Sequence, residues 1–403
     1  MTILFPKRLL LPAIGLLLAV VAACGGSSPT ATSSPPPVVV RPSPTPIATA
    51  TPEPSTPTRL LELLATMPAS LKGDGIWFGD SARTLDLAQI EKVNTLDELL
   101  VLGAEAMPYL EAVGKIAQPA RSLVRGYGNL EWEQVFGFGP FAADSGIGTG
   151  ETTQSSPTLT YFEGTLDGQD IAAKLVELGY SRETHKGVEY YSILGDFEAD
   201  PQALPGTIAG SSMNRVALLT GALLAAPSTE MLTGVLDAIS DDAETLAEDP
   251  AFFSLARSLG DPLSAVLMTK EGALLRRGQP PRNLFEFPRP DDWQPLHDWE
   301  AVAFGLREEA GRRSLRMSLF YPEPLDANAD GEEITQRMGD YRSTVLQPDS
   351  GRRIFAESCA DLSWAHRPDD AGSVLIITCL LVDQPPVLWH FLVDNKDLAF
   401  LLA

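Results

Sequence analysis

Thr158-Leu-Thr-Tyr-Phe-Glu-Gly-Thr-Leu-Asp-Gly-Gln-Asp-Ile-Ala-Ala-Lys-Leu-Val-Glu-Leu-Gly-Tyr180 holds a strand, a turn and a helix in one short stretch, and its reading decides the fold. Leu159-Thr160-Tyr161-Phe162 alternates as a β-strand does. Asp167-Gly168 turns the chain. Asp170 to Gly179 has helical spacing and closes on a glycine, the residue that ends a helix in a left-handed conformation at least cost. Residues 315–341 repeat the order: a strand, a turn, an acidic helix start and a helix ending in Asp340-Tyr341. The echo reads as a duplicated strand–helix unit or as coincidence.

Outward from this stretch the pattern continues. Arg215 to Ala226 reads as a hairpin about Thr220-Gly221. Ala301 to Arg307 and Ser314 to Tyr321 read as an antiparallel pair turning near Gly311. Gly75 to Gly79, Val188 to Leu194, Leu263 to Met268 and Val374 to Leu381 are further strands. Helices are expected at Leu60–Leu64, Thr229–Ser240, Pro250–Leu259 and Glu332–Val345, with helix-like apolar segments from Val387 to Leu402. Between Asp86 and Val124, Pro108 and Pro119 divide a helical pattern into short pieces. Residues 137–157, rich in Gly, Ser and Thr, read as a long loop. Hairpins mixed with returning helices predict an α+β fold: a mixed, largely antiparallel sheet, or sheets, with packed helices. The proline-rich stretch 278–295 marks a boundary that would divide the folded part, 59–403, into subdomains 59–277 and 296–403.

The first 58 residues have a different character. Lys7 and Arg8 precede an apolar run from Leu9 to Ala23, interrupted by Pro12 and Gly15 and followed by Cys24. A spanning helix needs roughly 20 apolar residues, so this run suits the apolar region of a secretory signal. Val21-Ala22-Ala23-Cys24 resembles the processing site of bacterial lipoproteins, in which the chain is cut before the cysteine and the thiol is acylated. The resemblance implies a signal peptide at 1–23, palmitate or a similar acyl chain on Cys24, and a protein lipid-anchored at the cell membrane on its extracytoplasmic face. Residues 27–58 hold ten Pro, six Ser and seven Thr, too little apolar surface to offset the entropy of ordering. With Cys24 they form the expected segment 24–58, a disordered linker reaching at most about 100 Å at roughly 3.1 Å per residue. Its Ser/Thr/Pro mixture suits a plain spacer and is open to O-glycosylation.

The chain carries a formal net charge of −23, and loss of Lys7 and Arg8 with the signal makes it −25. Nucleic acid, whose phosphates need Lys and Arg, is excluded as a partner, and polybasic docking on anionic lipid is disfavoured. After Cys24 only Cys359 and Cys379 remain, a pair available for a disulfide in an exported protein, the alternative being two buried thiols.

Candidate chemistry is sparse. Asp326-Ala-Asn328-Ala-Asp330-Gly331 matches the first half of an EF-hand calcium loop. The position of the bidentate Glu is Arg337, however, and that of the aliphatic residue is Glu333. The competing reading makes Asp330 a helix cap and Glu333 the partner of a capping box. His185, His297, His366 and His390 lie too far apart in sequence for a local metal motif, so no metal or other cofactor is expected. Trp364 with His366, and Trp389 with His390, are positioned to pack together. Gly146-Ile-Gly148-Thr-Gly150 imitates a phosphate loop but lacks its Lys-Ser/Thr, and reads as a flexible loop. Trp293 and Trp299 flank His297 in a Pro-rich turn that either anchors onto the sheet or offers aromatics to a sugar or peptide.

From Leu159 onward the chain resembles uncharacterised envelope lipoproteins of a domain-of-unknown-function type. The resemblance rests on Phe162-Glu-Gly-Thr-Leu-Asp167, Leu178-Gly-Tyr180, Lys186-Gly-Val-Glu-Tyr190 and Asp249-Pro-Ala-Phe252, and it implies no activity. The expectation is a non-enzymatic envelope protein that binds an envelope partner or a small ligand. The alternative is an extracytoplasmic hydrolase whose catalytic groups assemble from distant residues.

Overall fold

Twelve strands join in a single antiparallel sheet. In chain order they are β1 (Ile76–Asp80), β2 (Ala143–Thr149), β3 (Thr160–Gly164), β4 (Ser181–His185), β5 (Val188–Ser192), β6 (Arg215–Leu219), β7 (Ala222–Ala226), β8 (Ser264–Thr269), β9 (Ala301–Glu309), β10 (Arg312–Tyr321), β11 (Cys359–Asp369) and β12 (Gly372–Leu381). Across the sheet the order is β11-β12-β10-β9-β8-β1-β2-β3-β7-β6-β5-β4. The structure, a computed structural model, describes residues 57–113, 130–150, 159–274, 293–323, 327–342, 353–382, 386–389, 392–393 and 398–401. With its helices this is an α+β fold. Its helices include α1 (Arg59–Leu64), α2 (Ser81–Ala88), α3 (Leu96–Leu102), α4 (Ala106–Val113), α5 (Leu130–Phe136), α6 (Gly168–Glu177), α7 (Leu204–Ala209), α8 (Thr229–Ile239), α9 (Pro250–Leu259), α10 (Lys270–Leu274) and α11 (Ala327–Asp340).

The sheet reads alike outward from its central β1–β8 pair. On one side β1, β2 and β3 form a meander, α6 follows, and the chain returns from the edge through β4, β5 and β6 to β7, which closes on β3. On the other side β8, β9 and β10 form the meander, α11 follows, and the chain returns through β11 to β12, which closes on β10. The β4–β5 hairpin is the addition of the first half. The echo noted in the sequence falls on equivalent elements: β3 with α6, and β10 with α11. Each helix is followed by a buried tyrosine, Tyr180 or Tyr341. The segment 278–295 does not interrupt the sheet, because β8 pairs with β9 from Ser264↔Leu306 to Thr269↔Ala301.

Helices cover both faces. On one, α1, α8 and α9 bury a cluster that includes Leu60, Phe78, Ile147, Leu224, Leu255, Leu267 and Phe320 and runs through both halves. On the other, α6 packs Ile171 and Leu175 onto Phe162 and Val216, while α11 packs Ile334 and Met338 near Phe304 and Ile377. Burying each such side chain is worth about 1.5–3 kcal/mol. The helix starts follow local chemistry. Asp167 accepts from the Gln169 and Asp170 amides, Ser228 from Met231, and Asp249, just before Pro250, from Ala251 and Phe252.

The largest departure from expectation lies in residues 137–157. A loop was predicted there, yet β2 occupies Ala143–Thr149 and pairs with β1 and β3 near the centre of the sheet. The glycines that suggested a loop permit close packing instead. A Cβ on Gly146 would sit 2.9 Å from the Phe162 Cβ and 3.0 Å from the Tyr161 carbonyl oxygen. Glycine at 146 thus lets β2 lie close against Phe162 and the Tyr161 backbone of β3. The later part of the stretch, 151–158, lies outside the described residues. The helix expected at Glu332–Val345 begins earlier, at Ala327, and ends at Asp340.

Candidate functional site

α1 sets Arg59 against the starts of β2 and α2. The Thr58 hydroxyl caps the helix by accepting from the Leu61 amide, which fixes the direction of the next side chain. Arg59 Nε and one terminal nitrogen donate to Ser145 Oγ at 3.1 and 3.0 Å, and the other terminal nitrogen to Glu62 at 2.9 Å. Arg59 also pairs with the Glu163 carboxylate. Glu163 in turn accepts from the Tyr161 hydroxyl at 3.2 Å. Asp80 ends β1 and caps α2 by accepting from the Arg83 amide at 2.9 Å. Lys92 Nζ lies 2.6 Å from Asp144. These groups surround a solvent-open cleft of about 310 Å³ lined by Arg59, Asp80, Asp144, Ser145 and Glu163, with backbone from Gly164 and Gly221. Gly164 is required here, since a Cβ would run into the Ala142 carbonyl oxygen.

Burial pushes the Asp80 carboxyl above its ordinary value, against the pull of the Arg83 amide and guanidinium. Burial and the Glu163 carboxylate push the Tyr161 phenol up to about 12. Burial alone would lower Arg59, but hydrogen bonds and charge from Glu62 and Glu163 outweigh it and raise the guanidinium. Arg59 and Lys92 are thus paired with acids, and the lining carries the carboxylates of Asp80, Asp144 and Glu163 against the one guanidinium of Arg59. A ligand held there would be polar and matched to several acceptors.

Asp80 allows a direct check. Its folded pKa lies above the unfolded value of 3.8. The folded state therefore holds the proton more tightly, and stability falls as pH rises through the interval above 3.8. Asp80→Asn keeps an accepting oxygen and has no charge to desolvate. At pH 7 it should melt at the same temperature as the wild type or higher, the difference closing in acid where both side chains are neutral. Asp80→Ala, which loses the cap, should be less stable by about 1 kcal/mol. A D80N protein markedly less stable than wild type at pH 7 would sink this account of the carboxyl.

The residues singled out in the sequence lie elsewhere. Cys359 and Cys379 form a disulfide between β11 and β12, with Cα atoms 5.2 Å apart. Cys24, Asp326 and His390 lie outside the described residues. Asn328 is exposed, whereas Asp330 is buried and does not cap a helix. Because α11 starts earlier than expected, Asp330 falls in its first turn and faces the preceding segment. It accepts from the His297 amide at 3.1 Å, His297 Nδ1 at 2.8 Å and the Tyr321 hydroxyl at 3.0 Å. Glu333 accepts from the Gln294 amide at 3.0 Å and from Arg337 Nε at 2.7 Å. The Arg337 guanidinium is buried, donates to the Phe400 carbonyl at 3.0 Å and lies 4.6 Å from the Trp293 ring centre. Asp330, Glu333 and Arg337 therefore form a polar clamp holding residues 293–297. Trp299 and Leu296 are buried beside it, so this turn is anchored onto the sheet.

His185 Nε2 lies 2.7 Å from Asp237, fastening the β4–β5 turn to α8. Burial pushes the half-buried His366 imidazole down. Trp364, on the same face of β11, is buried under Gly331. Among the described residues no three or more His, Cys, Asp or Glu gather as a metal site would require. Nor is any helix among them long and apolar enough to cross a membrane. Sequence reasoning did not find the cleft. Arg59 and Glu163 meet across a separation of 104 residues, and no local motif announces such a pair.

No family model matches the chain, and no curated protein matches it. Among solved structures, crystal form I of TP0453 aligns at 9% identity over 85% of this chain and 97% of that one, with a TM-score of 0.35. Crystal form III aligns at 11% identity over 79% and 93%, with a TM-score of 0.33.

Proposed function

We propose that the chain is a lipid-anchored protein of the bacterial cell envelope whose folded part binds an extracytoplasmic ligand or partner without transforming it. The observation that carries the reading is Cys24, placed directly after Ala22-Ala23 and an apolar run, and joined to the folded part by a Pro/Ser/Thr-rich segment. Acyl chains hold a protein at a membrane at about 0.8 kcal/mol per buried methylene. The linker lets the domain sample the space above the bilayer. The binding reading is supported by the cleft at the start of α1, where the cations are engaged by neighbouring acids and the groups left open are hydrogen-bonding ones. None of the described histidines lines it.

The test is metabolic labelling with radioactive palmitate and fractionation in a bacterial host. The wild-type chain should take up label and sediment with membranes, whereas Cys24→Ala should do neither. A C24A chain that stays with the membranes would overturn the anchor.

A further inference from the structure

The end of the sheet opposite the cleft carries a loop that neither the cleft nor the core explains. β7 starts beside Gly221, at the cleft, and ends at Ala226. Just past that far end the Pro227 carbonyl accepts from the Phe197 amide at 2.8 Å, which fixes the loop between β5 and α7. Two buried residues hold its backbone. Arg215 donates to the carbonyls of Ile193 at 3.0 Å and Leu194 at 3.2 Å, and to Asp196 at 2.8 Å. Asn214 Nδ2 donates to the carbonyls of Gly195 at 2.9 Å and Glu198 at 2.7 Å. Asp196 also accepts from the Thr229 amide at 2.9 Å.

What this scaffold presents is unusual. Leu194 and Phe197 both adopt left-handed backbone conformations, φ 58° and 60°, where glycine or asparagine is the ordinary choice. Each costs on the order of 1–2 kcal/mol for a bulky residue. The side chains so placed stay largely in solvent, Leu194 at 41% exposed and Phe197 at 56%, beside Leu204 at the start of α7 at 53%. Residues 194–204 also include Asp196, Glu198 and Asp200 and no base. A rigid, strained loop thus displays apolar side chains within an acidic rim.

We propose that this loop is a docking surface for a protein partner, with Phe197 entering an apolar socket rimmed by Lys or Arg. Fixing the loop beforehand removes the entropy of ordering it on contact. The acidic rim steers a basic partner in and excludes acidic ones, other copies of this −23 chain among them. It also opposes an anionic lipid surface. The inference is independent of how, or whether, the chain is anchored.

The test is photo-crosslinking in cells producing the full chain, with benzoylphenylalanine at position 197 or, as a control, at Phe253, an exposed position on α9. A discrete protein adduct is expected at 197 and not at 253, mapping to a partner surface beside basic residues. Glu198→Gln with Asp200→Asn keeps the oxygens that accept loop amides but removes two charges. It should cut the adduct several-fold while leaving the melting temperature of the chain unchanged. No adduct at 197, an adduct equal to that at 253, one to lipid, or one undiminished by the neutral pair would each overturn the proposal.

Discussion

Arg337→Ala should destabilise the folded chain by about 3–5 kcal/mol in urea denaturation, the range for breaking a buried ion pair. The guanidinium is 1% exposed and pairs with Glu333, which is 14% exposed. Its removal leaves that carboxylate without its cation and the Phe400 carbonyl without its donor. The Trp293 ring loses the guanidinium 4.6 Å from its centre as well. Arg337→Lys should recover little, since an ammonium cannot reproduce the planar fork. Combining Arg337→Met with Glu333→Leu should be much milder than Arg337→Ala, because no charge is then buried alone. A loss below about 1 kcal/mol for R337A, the size of an exposed pair, would mean the clamp contributes nothing.

Reducing the Cys359–Cys379 disulfide should cost about 3 kcal/mol, the value for a loop of this size, since the cysteines are 20 residues apart. The bond ties the edge strand β11 to β12, which are also joined by the ladder from Leu362↔Cys379 to Asp369↔Gly372. The protein should therefore remain folded in dithiothreitol at 25 °C but unfold at lower urea. A protein with both cysteines replaced by Ala should match the reduced wild type and be insensitive to dithiothreitol. If reductant shifted that variant equally, the effect would lie elsewhere.

Much of the fold was legible where neighbours in sequence are neighbours in space. The β6–β7 and β9–β10 hairpins announced themselves through alternation and through Gly221 and Gly311, both at positive φ. The starts expected at Thr229 and Pro250 are where α8 and α9 begin. β2 was missed because its Gly146 serves a packing need set by Phe162, a residue on another strand. The Asp326–Asp330 stretch was ambiguous for a similar reason. In sequence, carboxylates such as Asp330 and Glu333 look alike whether they await an ion or face an amide and a guanidinium, and it is the position of residues 293–297 that gives these two their partners. The cleft was invisible, since its lining comes from α1, β1, β2, β3 and the β6–β7 turn, which only the finished sheet brings together.

The central β1–β8 pair has a consequence for the order in which the chain folds. Ser264 donates its hydroxyl to the Phe78 carbonyl across 186 residues of sequence, whereas β9–β10 and β11–β12 close over short turns. The outer hairpins can therefore form early and locally, while the seam between halves carries the largest loop-closure cost and forms late. Until it closes, β8, with the sequence Ser264-Ala-Val-Leu-Met-Thr269, is an unpaired edge carrying four consecutive apolar side chains. Such an edge can recruit the same strand of another copy. Dilution or a holding chaperone should therefore raise refolding yield more than any change to the finished structure, with the seam as the point at which folding and aggregation compete.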